Sequence, residues 1–340
     1  MSKPANKPGL TDITGSRTGP TLKAEARVSR FYERAPYPDL GAKPKNPSHW
    51  LDPVRRRLEI TGGRAFHYLD AGCGTGHSVV GVALAQPDWQ ISAIDLSEPS
   101  LAIARALADK HSVSIDFHQG SYLDPLPFDG RFDLIGTFGS VHHTPDPPGA
   151  VRNLLAHLTA DGLLVMHLYG RDLDRGKFVI REILDIVEPD LSAIDRRFAL
   201  YRELVAHRRP SILKRFLDLS PRVALRAVRD AFYKARRRRV ESWSPPWTDE
   251  YRHPTGPWID HFCHPLENVY NVRDVQKLAE EAGLDVLEML GQGRETLSRL
   301  PQGWRNDFAG MDYWDRARLM ELLDVTARSV LVIGRRAPVH

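Results

Sequence analysis

The chain has 340 residues, 42% hydrophobic and 26% charged, a globular composition that excludes pervasive disorder, collagen-like repeats and a coiled coil. Two cysteines, Cys73 and Cys263, exclude a disulfide framework, and no apolar run of about 18 residues or N-terminal signal core is present. A cytoplasmic protein without a transmembrane segment is expected, and the net charge of +4 names no partner.

Residues 1–22 are polar and rich in Pro, Gly, Lys and Thr, the composition of a disordered tail. Order is expected from near Ala24, where Val28, Phe31 and Tyr32 make a short apolar stripe, and residues 23–60 form an N-terminal segment. Within it, Ala35-Pro36-Tyr37-Pro38-Asp39 and the prolines at 44, 47 and 53 predict extended chain rather than helix.

From Ala65 to Gly170, apolar runs alternate with helical spacing. Strands are predicted at Phe66–Leu69, Ile91–Ile94, Ser114–Phe117, Phe132–Thr137 and Leu163–Leu168, with helices at His77–Leu84, Glu98–Lys110 and Gly149–Leu158. This alternation implies an α/β fold with a parallel sheet and crossover helices. Two later strands, Val286–Leu290 and Ser329–Ile333, each follow a helical stretch, Val272–Ala282 and Trp314–Leu323. The core therefore comprises residues 61–170 and 266–340, interrupted by a helical cap over 171–265. Helices are expected in the cap at Lys177–Val187, Arg196–Val205, Ile212–Leu219 and Pro221–Arg238.

The densest motif is Asp70-Ala71-Gly72-Cys73-Gly74-Thr75-Gly76-His77, an apolar strand that ends in an acid, turns through glycines and enters a helix. Glycines let a ligand approach the backbone closely, and the helix start behind them favours negative charge. Asp95 closes the second strand 19 residues after Gly76, where a carboxylate can accept ribose hydroxyls. A dinucleotide loop, G-x-G-x-x-G, would need glycine at position 77, which is His77. The observed G-x-G-x-G, with an acid two residues before it, suits a ligand carrying a cationic amino-acid group instead.

In these residues the chain resembles the class I S-adenosylmethionine-dependent methyltransferases. The resemblance implies a Rossmann-like seven-stranded methyltransferase sheet with helices on both faces, plus a helical cap inserted after the fifth strand. It also implies S-adenosyl-L-methionine as cofactor and S-adenosyl-L-homocysteine as product. Asp70, Gly72, Cys73, Gly74, Gly76, Asp95 and Leu96 would hold the cofactor. Ser121 and Tyr122 stand where the family contacts adenine, although many members carry Asp at the position of Ser121. Phe138, in Phe138-Gly139-Ser140-Val141-His142-His143, belongs to the segment that lines the methyl-transfer site. A bacterial subgroup is resembled as well, through Tyr32 with Pro36-Tyr37-Pro38, Tyr169-Gly170-Arg171 and His264-Pro265. That likeness implies an N-terminal segment folded over the cofactor, with Tyr32 or Tyr37 in the pocket wall.

Methyl transfer to a protonated nucleophile needs a base, and histidine titrates near neutrality. His142 and His143 follow the fourth strand at the edge where ligands collect. His264 joins them as a catalytic candidate, while Tyr169, Trp258 and His261 are substrate-pocket candidates that compete with ordinary packing roles. His261-x-Cys263-His264 has no second ligand cluster in the sequence, so no metal is expected. Trp243, Trp247, Tyr251 and Trp258 lie in what reads as a Pro-containing linker, suited to an apolar lid or to packing.

Between Arg196 and Arg239, fifteen basic residues face three acids, a net +12 that leaves −8 for the rest. Such a cap could attract an anionic small molecule, an RNA or a lipid surface, or pair with acids elsewhere. No Asn/Asp-Pro-Pro-aromatic motif follows the fourth strand, since Asp146-Pro147-Pro148-Gly149 lacks the aromatic. The expected partner is therefore a small-molecule acceptor with an O, N or S nucleophile. An RNA methyltransferase and a non-catalytic cofactor-binding subunit are the competing readings.

Overall fold

The structure is a computed structural model that describes residues 19–38, 41, 43–58, 65–171, 175–208, 256–290, 300, 302–323 and 329–338. The cap helices expected at Ile212–Leu219 and Pro221–Arg238, and Trp243, Trp247 and Tyr251, lie outside the described residues.

Seven strands form one sheet: β1 (His67–Ala71), β2 (Gln90–Asp95), β3 (Asp116–Gln119), β4 (Phe132–Phe138), β5 (Leu158–Tyr169), β6 (Leu284–Leu290) and β7 (Ser329–Arg336). Their order is β3-β2-β1-β4-β5-β7-β6. The first five are parallel, whereas β7 runs antiparallel to both β5 and β6. β2 and β4 flank β1, so the chain leaves β1 in opposite directions and opens a crevice at the strand ends.

Alternate strand residues point to opposite faces, and each face carries its own core. Leu69, Leu164, Met166 and Leu168 pack with α5 (Pro147–Ala156), α9 (Val272–Ala282) and α10 (Tyr313–Leu323). Tyr68, Leu163 and Val165 pack with α2 (Ser48–Arg55), α3 (His77–Ala85) and α4 (Glu98–Lys110). Helix ends are set by local chemistry. Ser97 Oγ accepts the Ser100 N–H at 3.3 Å to start α4, and Asn271 with Asp274 forms a capping box on α9. Asp146-Pro147-Pro148-Gly149 starts α5, with Asp146 accepting the Gly149 N–H at 2.9 Å.

The N-terminal segment departs from expectation twice. Helix α1 spans Gly19–Arg34, so it begins inside the stretch whose composition suggests a tail. Helix α2 forms despite Pro47 and Pro53, because Pro47 sits at its N-cap and Trp50, Leu51 and Val54 are buried. Burying each such side chain contributes about 1.5–3 kcal/mol, enough to offset an interior proline.

After β5 come α6 (Arg175–Val187) and α7 (Ile194–Arg208), and α8 (Gly256–Cys263) precedes the return to the sheet. Ile180, Leu184, Phe198, Tyr201, Trp258 and Phe262 form a third cluster, against which Phe31 of α1 packs. Trp258 thus belongs to a helix with a buried face, not to a linker. Among the described residues, no helix is long and apolar enough to cross a membrane.

Candidate active site

A cavity lies across the ends of β4, β1, β2 and β3. Its floor comprises Phe138, Gly139 and Ser140 at the end of β4, Asp70 and Gly72–Gly74 at the end of β1, Asp95 and Leu96 at the end of β2, and Ser121 and Tyr122 after β3. Glu25, Val28 and Tyr32 of α1, with Tyr37, Pro38 and Lys45, make the opposite wall. The N-terminal segment is tied to the glycine loop through its backbone. Tyr37 O accepts the Thr75 N–H at 3.2 Å, Pro38 O accepts the Thr75 hydroxyl at 2.5 Å, and His77 O accepts the Lys45 N–H at 2.8 Å.

The glycines are required by proximity. A Cβ on Gly72 would lie 2.4 Å from that of Ser140, and one on Gly74, whose φ is +53°, would lie 2.4 Å from Tyr37 O. Asp95 braces the same loop. One carboxylate oxygen accepts the Gly74 N–H at 2.8 Å and the other the Ser97 N–H at 2.9 Å, leaving lone pairs for a ligand. Burial raises its pKa from the ordinary carboxylate range, against those hydrogen bonds.

Asp70 is the electrostatic focus. It is 1% exposed, and its Oδ2 has no hydrogen-bond partner among the described residues. Burial, and then the neighbouring Asp95, push its pKa up to about 7, while burial lowers that of Lys45. A buried carboxylate that borders a cavity suits a ligand that brings an ammonium group. With Asp95 available for vicinal hydroxyls, the wall fits a nucleoside joined to an amino acid.

At the other end lies a histidine cluster. His143, on a short 3₁₀ turn after β4, borders the cavity. Its Nδ1 bonds to Leu266 O at 2.9 Å, while His264 Nδ1 accepts the Leu266 N–H at 3.1 Å. One backbone residue therefore imposes opposite tautomers: Nε2 of His143 keeps a lone pair, and Nε2 of His264 carries a proton. The two rings lie 3.8 Å apart, and both Nε2 atoms are buried without a hydrogen-bond partner among the described residues. Burial lowers the pKa of His142, His143 and His264, so each is neutral at neutral pH.

Asp260, on α8, joins this cluster. It accepts the hydroxyls of Tyr32 at 3.0 Å and Tyr169 at 3.2 Å. The donor atoms of His143, Asp260 and His264 lie within 4.8 Å of one another, the second ligand set that the His-x-Cys-His run lacks by itself. The His143 tautomer suits a cation, but the proton on His264 Nε2 opposes one. Beneath lies a buried ion pair, Lys177 to Glu267 at 2.5 Å, with Lys177 Nζ 4.2 Å from the centre of the Tyr169 ring.

Of the residues singled out from sequence, Asp70, Gly72, Cys73, Gly74, Asp95, Leu96, Ser121, Tyr122, Phe138, Tyr32, Tyr37 and His143 border one cavity. Gly76 does not: it closes against Ala104, which a Cβ would approach to 2.7 Å. His142 is fully buried with its ring 4.1 Å from that of Tyr169. His264 and Tyr169 stand behind His143, the latter through Asp260. His261 stands beside Tyr169, 6.1 Å between ring centres, and Trp258 and Cys263 belong to the third hydrophobic cluster. Sequence reasoning missed Glu25, Lys45 and Asp260. For Asp260, the available signal was an acid among Trp258, Ile259 and Phe262 on one short helix.

Residues 69–162 match the model of a family described as a methyltransferase domain. An uncharacterised protein of Synechococcus sp. is 31% identical over 261 residues, 75% of this chain and 57% of that protein. A ubiquinone biosynthesis O-methyltransferase of Xanthomonas euvesicatoria pv. vesicatoria is 31% identical over 134 residues, 38% of this chain and 54% of the enzyme. The chain thus spans 54–57% of the length of these curated relatives. The solved structure of PKMT2 from Rickettsia typhi in complex with AdoHcy superposes with a TM-score of 0.59 at 14% identity, over 90% of this chain and 55% of that one. That likeness concerns the fold.

Proposed function

The chain carries a class I S-adenosylmethionine-dependent methyltransferase domain, and from that premise we propose that it methylates an O, N or S nucleophile of a small molecule. The observation that carries this reading is one continuous cavity, with Asp70, the glycine loop and Asp95 at one side and His143 at another. When bound, S-adenosylmethionine supplies a sulfonium methyl group that departs from a neutral thioether. In this reading Asp70 receives the ammonium group and Asp95 the ribose hydroxyls. Holding an acceptor in line is worth roughly 7–11 kcal/mol of the barrier.

His143 is the base in this scheme. Its tautomer leaves Nε2 able to accept the acceptor's proton, a contribution of about 10²–10⁴-fold. Burial lowers the pKa of His143, against the nearby carboxylates of Asp260 and Glu267, so the ring is a neutral base at neutral pH. A hydroxyl or thiol is a nucleophile that uses such a base to lose its proton. The basic stretch between Arg196 and Arg239 supports attraction of an anionic molecule.

The test is an acceptor screen of alcohols, phenols, thiols and amines, with a mixed-RNA arm, that reads S-adenosylhomocysteine formed. Turnover with a small hydroxyl or thiol is expected. Turnover confined to RNA would replace the small-molecule reading, and cofactor binding without turnover on any acceptor would favour a non-catalytic subunit.

A further inference from the structure

Glu25, Val28 and Tyr32 are spaced i, i+3 and i+7, one face of α1, and all three border the cavity. Tyr32 stands at the histidine end. Glu25 stands at the end of β3, where its carboxylate accepts the hydroxyl of Ser121. The direction of that bond is set locally: Ser121 Oγ accepts the Leu123 N–H at 3.0 Å, so its proton turns to Glu25.

The strand order lays out the cavity from β4 through β1 and β2 to β3. A nucleoside with its ribose at Asp95 and its amino-acid arm at Asp70 directs its base toward β3. Three carboxylates border the cavity among the described residues, and Glu25 is the one without a role so far. Resting on the cofactor reading above, we propose that Glu25 recognises the 6-amino group of the adenine and thereby sets nucleobase specificity. An ionised carboxylate only accepts hydrogen bonds, and an amino group donates them. Hypoxanthine presents a carbonyl at the same place and would meet Glu25 lone pair to lone pair. The recognising group thus comes from a helix 96 positions away from the loop that it completes, where Ser121 has no carboxylate of its own.

Calorimetry on the full chain tests this with S-adenosylhomocysteine and S-inosylhomocysteine. The wild type should prefer the adenosyl compound by more than roughly tenfold, as one charge-assisted hydrogen bond supplies. Glu25→Gln, whose amide can turn either oxygen or nitrogen to the base, should bring the two affinities within about threefold. Glu25→Ala should weaken the adenosyl compound alone. Equal affinities in the wild type, or an unchanged preference in Glu25→Gln, would overturn the proposal. No binding of S-adenosylhomocysteine to the wild type would instead overturn the cofactor reading beneath it.

Discussion

Tyr32 donates its hydroxyl to Asp260 at 3.0 Å across 228 positions of sequence, joining the first helix of the chain to the short helix before the return to the sheet. The bond places an N-terminal aromatic beside both histidines of the cluster, 6.4 Å from the His143 ring and 5.3 Å from that of His264. It makes the N-terminal segment a wall of the site.

Tyr32→Phe keeps the ring and removes one of the two hydroxyls that Asp260 accepts. A hydrogen bond to a charged group contributes about 1.5–3 kcal/mol, so thermal denaturation should show a melting point lower by several degrees. Affinity for S-adenosylhomocysteine should stay within about twofold. An unaltered melting point would show that the bond contributes nothing to docking.

His143→Ala should lower turnover by about 10²–10⁴-fold once an acceptor is in hand, with cofactor affinity nearly unchanged. Paired calorimetry and kinetics separate the two effects. Full turnover in the variant would remove His143 as the base.

Asp70 makes cofactor binding depend on pH. Its carboxyl, pushed up to about 7 by burial and by Asp95, is protonated in the free protein below that pH, whereas an ammonium ligand needs it ionised. Affinity should therefore rise with pH through about 7, and binding near pH 6 should release a proton, visible as a buffer-dependent heat. Asp70→Asn should abolish both. A buffer-independent heat near pH 6 would contradict the assignment.

Acid stability follows from the histidines. In the folded state burial depresses the pKa of His142, His143 and His264 below the ordinary value of about 6.5. The stability of keeping them neutral is present above about pH 6.5 and is lost as the pH falls toward their folded values. Asp70 works in the opposite direction, because its raised folded pKa favours the native state as the pH falls below about 7. Asp95 acts in the same sense as Asp70, but burial also depresses His157, His167 and His261, so six histidines oppose two carboxylates and the melting point should fall on acidification. His142 has no side-chain hydrogen bond among the described residues and rests on the Tyr169 ring, a contact that phenylalanine preserves. His142→Phe should raise the melting point more at about pH 5.5 than at about pH 8; an equal gain at both would refute the titration argument.

Gly74→Ala tests the close approach of the N-terminal segment. The methyl group would meet Tyr37 O at 2.4 Å on a residue whose φ is +53°. The left-handed backbone alone costs about 1–2 kcal/mol, and the contact must also open. Denaturant unfolding should show the loss, and S-adenosylhomocysteine should bind more weakly. Wild-type behaviour in both would mean that the segment does not rest on the loop.

Seven strands, the helices between them, the glycine loop and Asp95 were legible from sequence because their signals are local. Apolar runs of strand length, helical spacing and an acid at a strand end are each complete within about ten residues, and the order of elements then implies a parallel sheet. The antiparallel placement of β7 between β5 and β6 was not legible, since a strand buried on both faces reads alike in either direction. Helix α2 was hidden by prolines whose unfavourable propensity tertiary burial of Trp50 and Val54 overrides.

The motif Asp70–Gly76 was enough to point to a nucleoside-type site on an α/β sheet, because that chemistry is carried by consecutive residues. Folding alone decided what surrounds it. Glu25, Lys45 and His143 come to one cavity, and Asp260 comes to the cluster behind it, from four distant stretches of chain. The tautomers of His143 and His264 are set by the backbone of Leu266, a group that no side-chain pattern encodes. Hydrogen bonds and burial act through space, so they assign roles only after the chain has closed on itself.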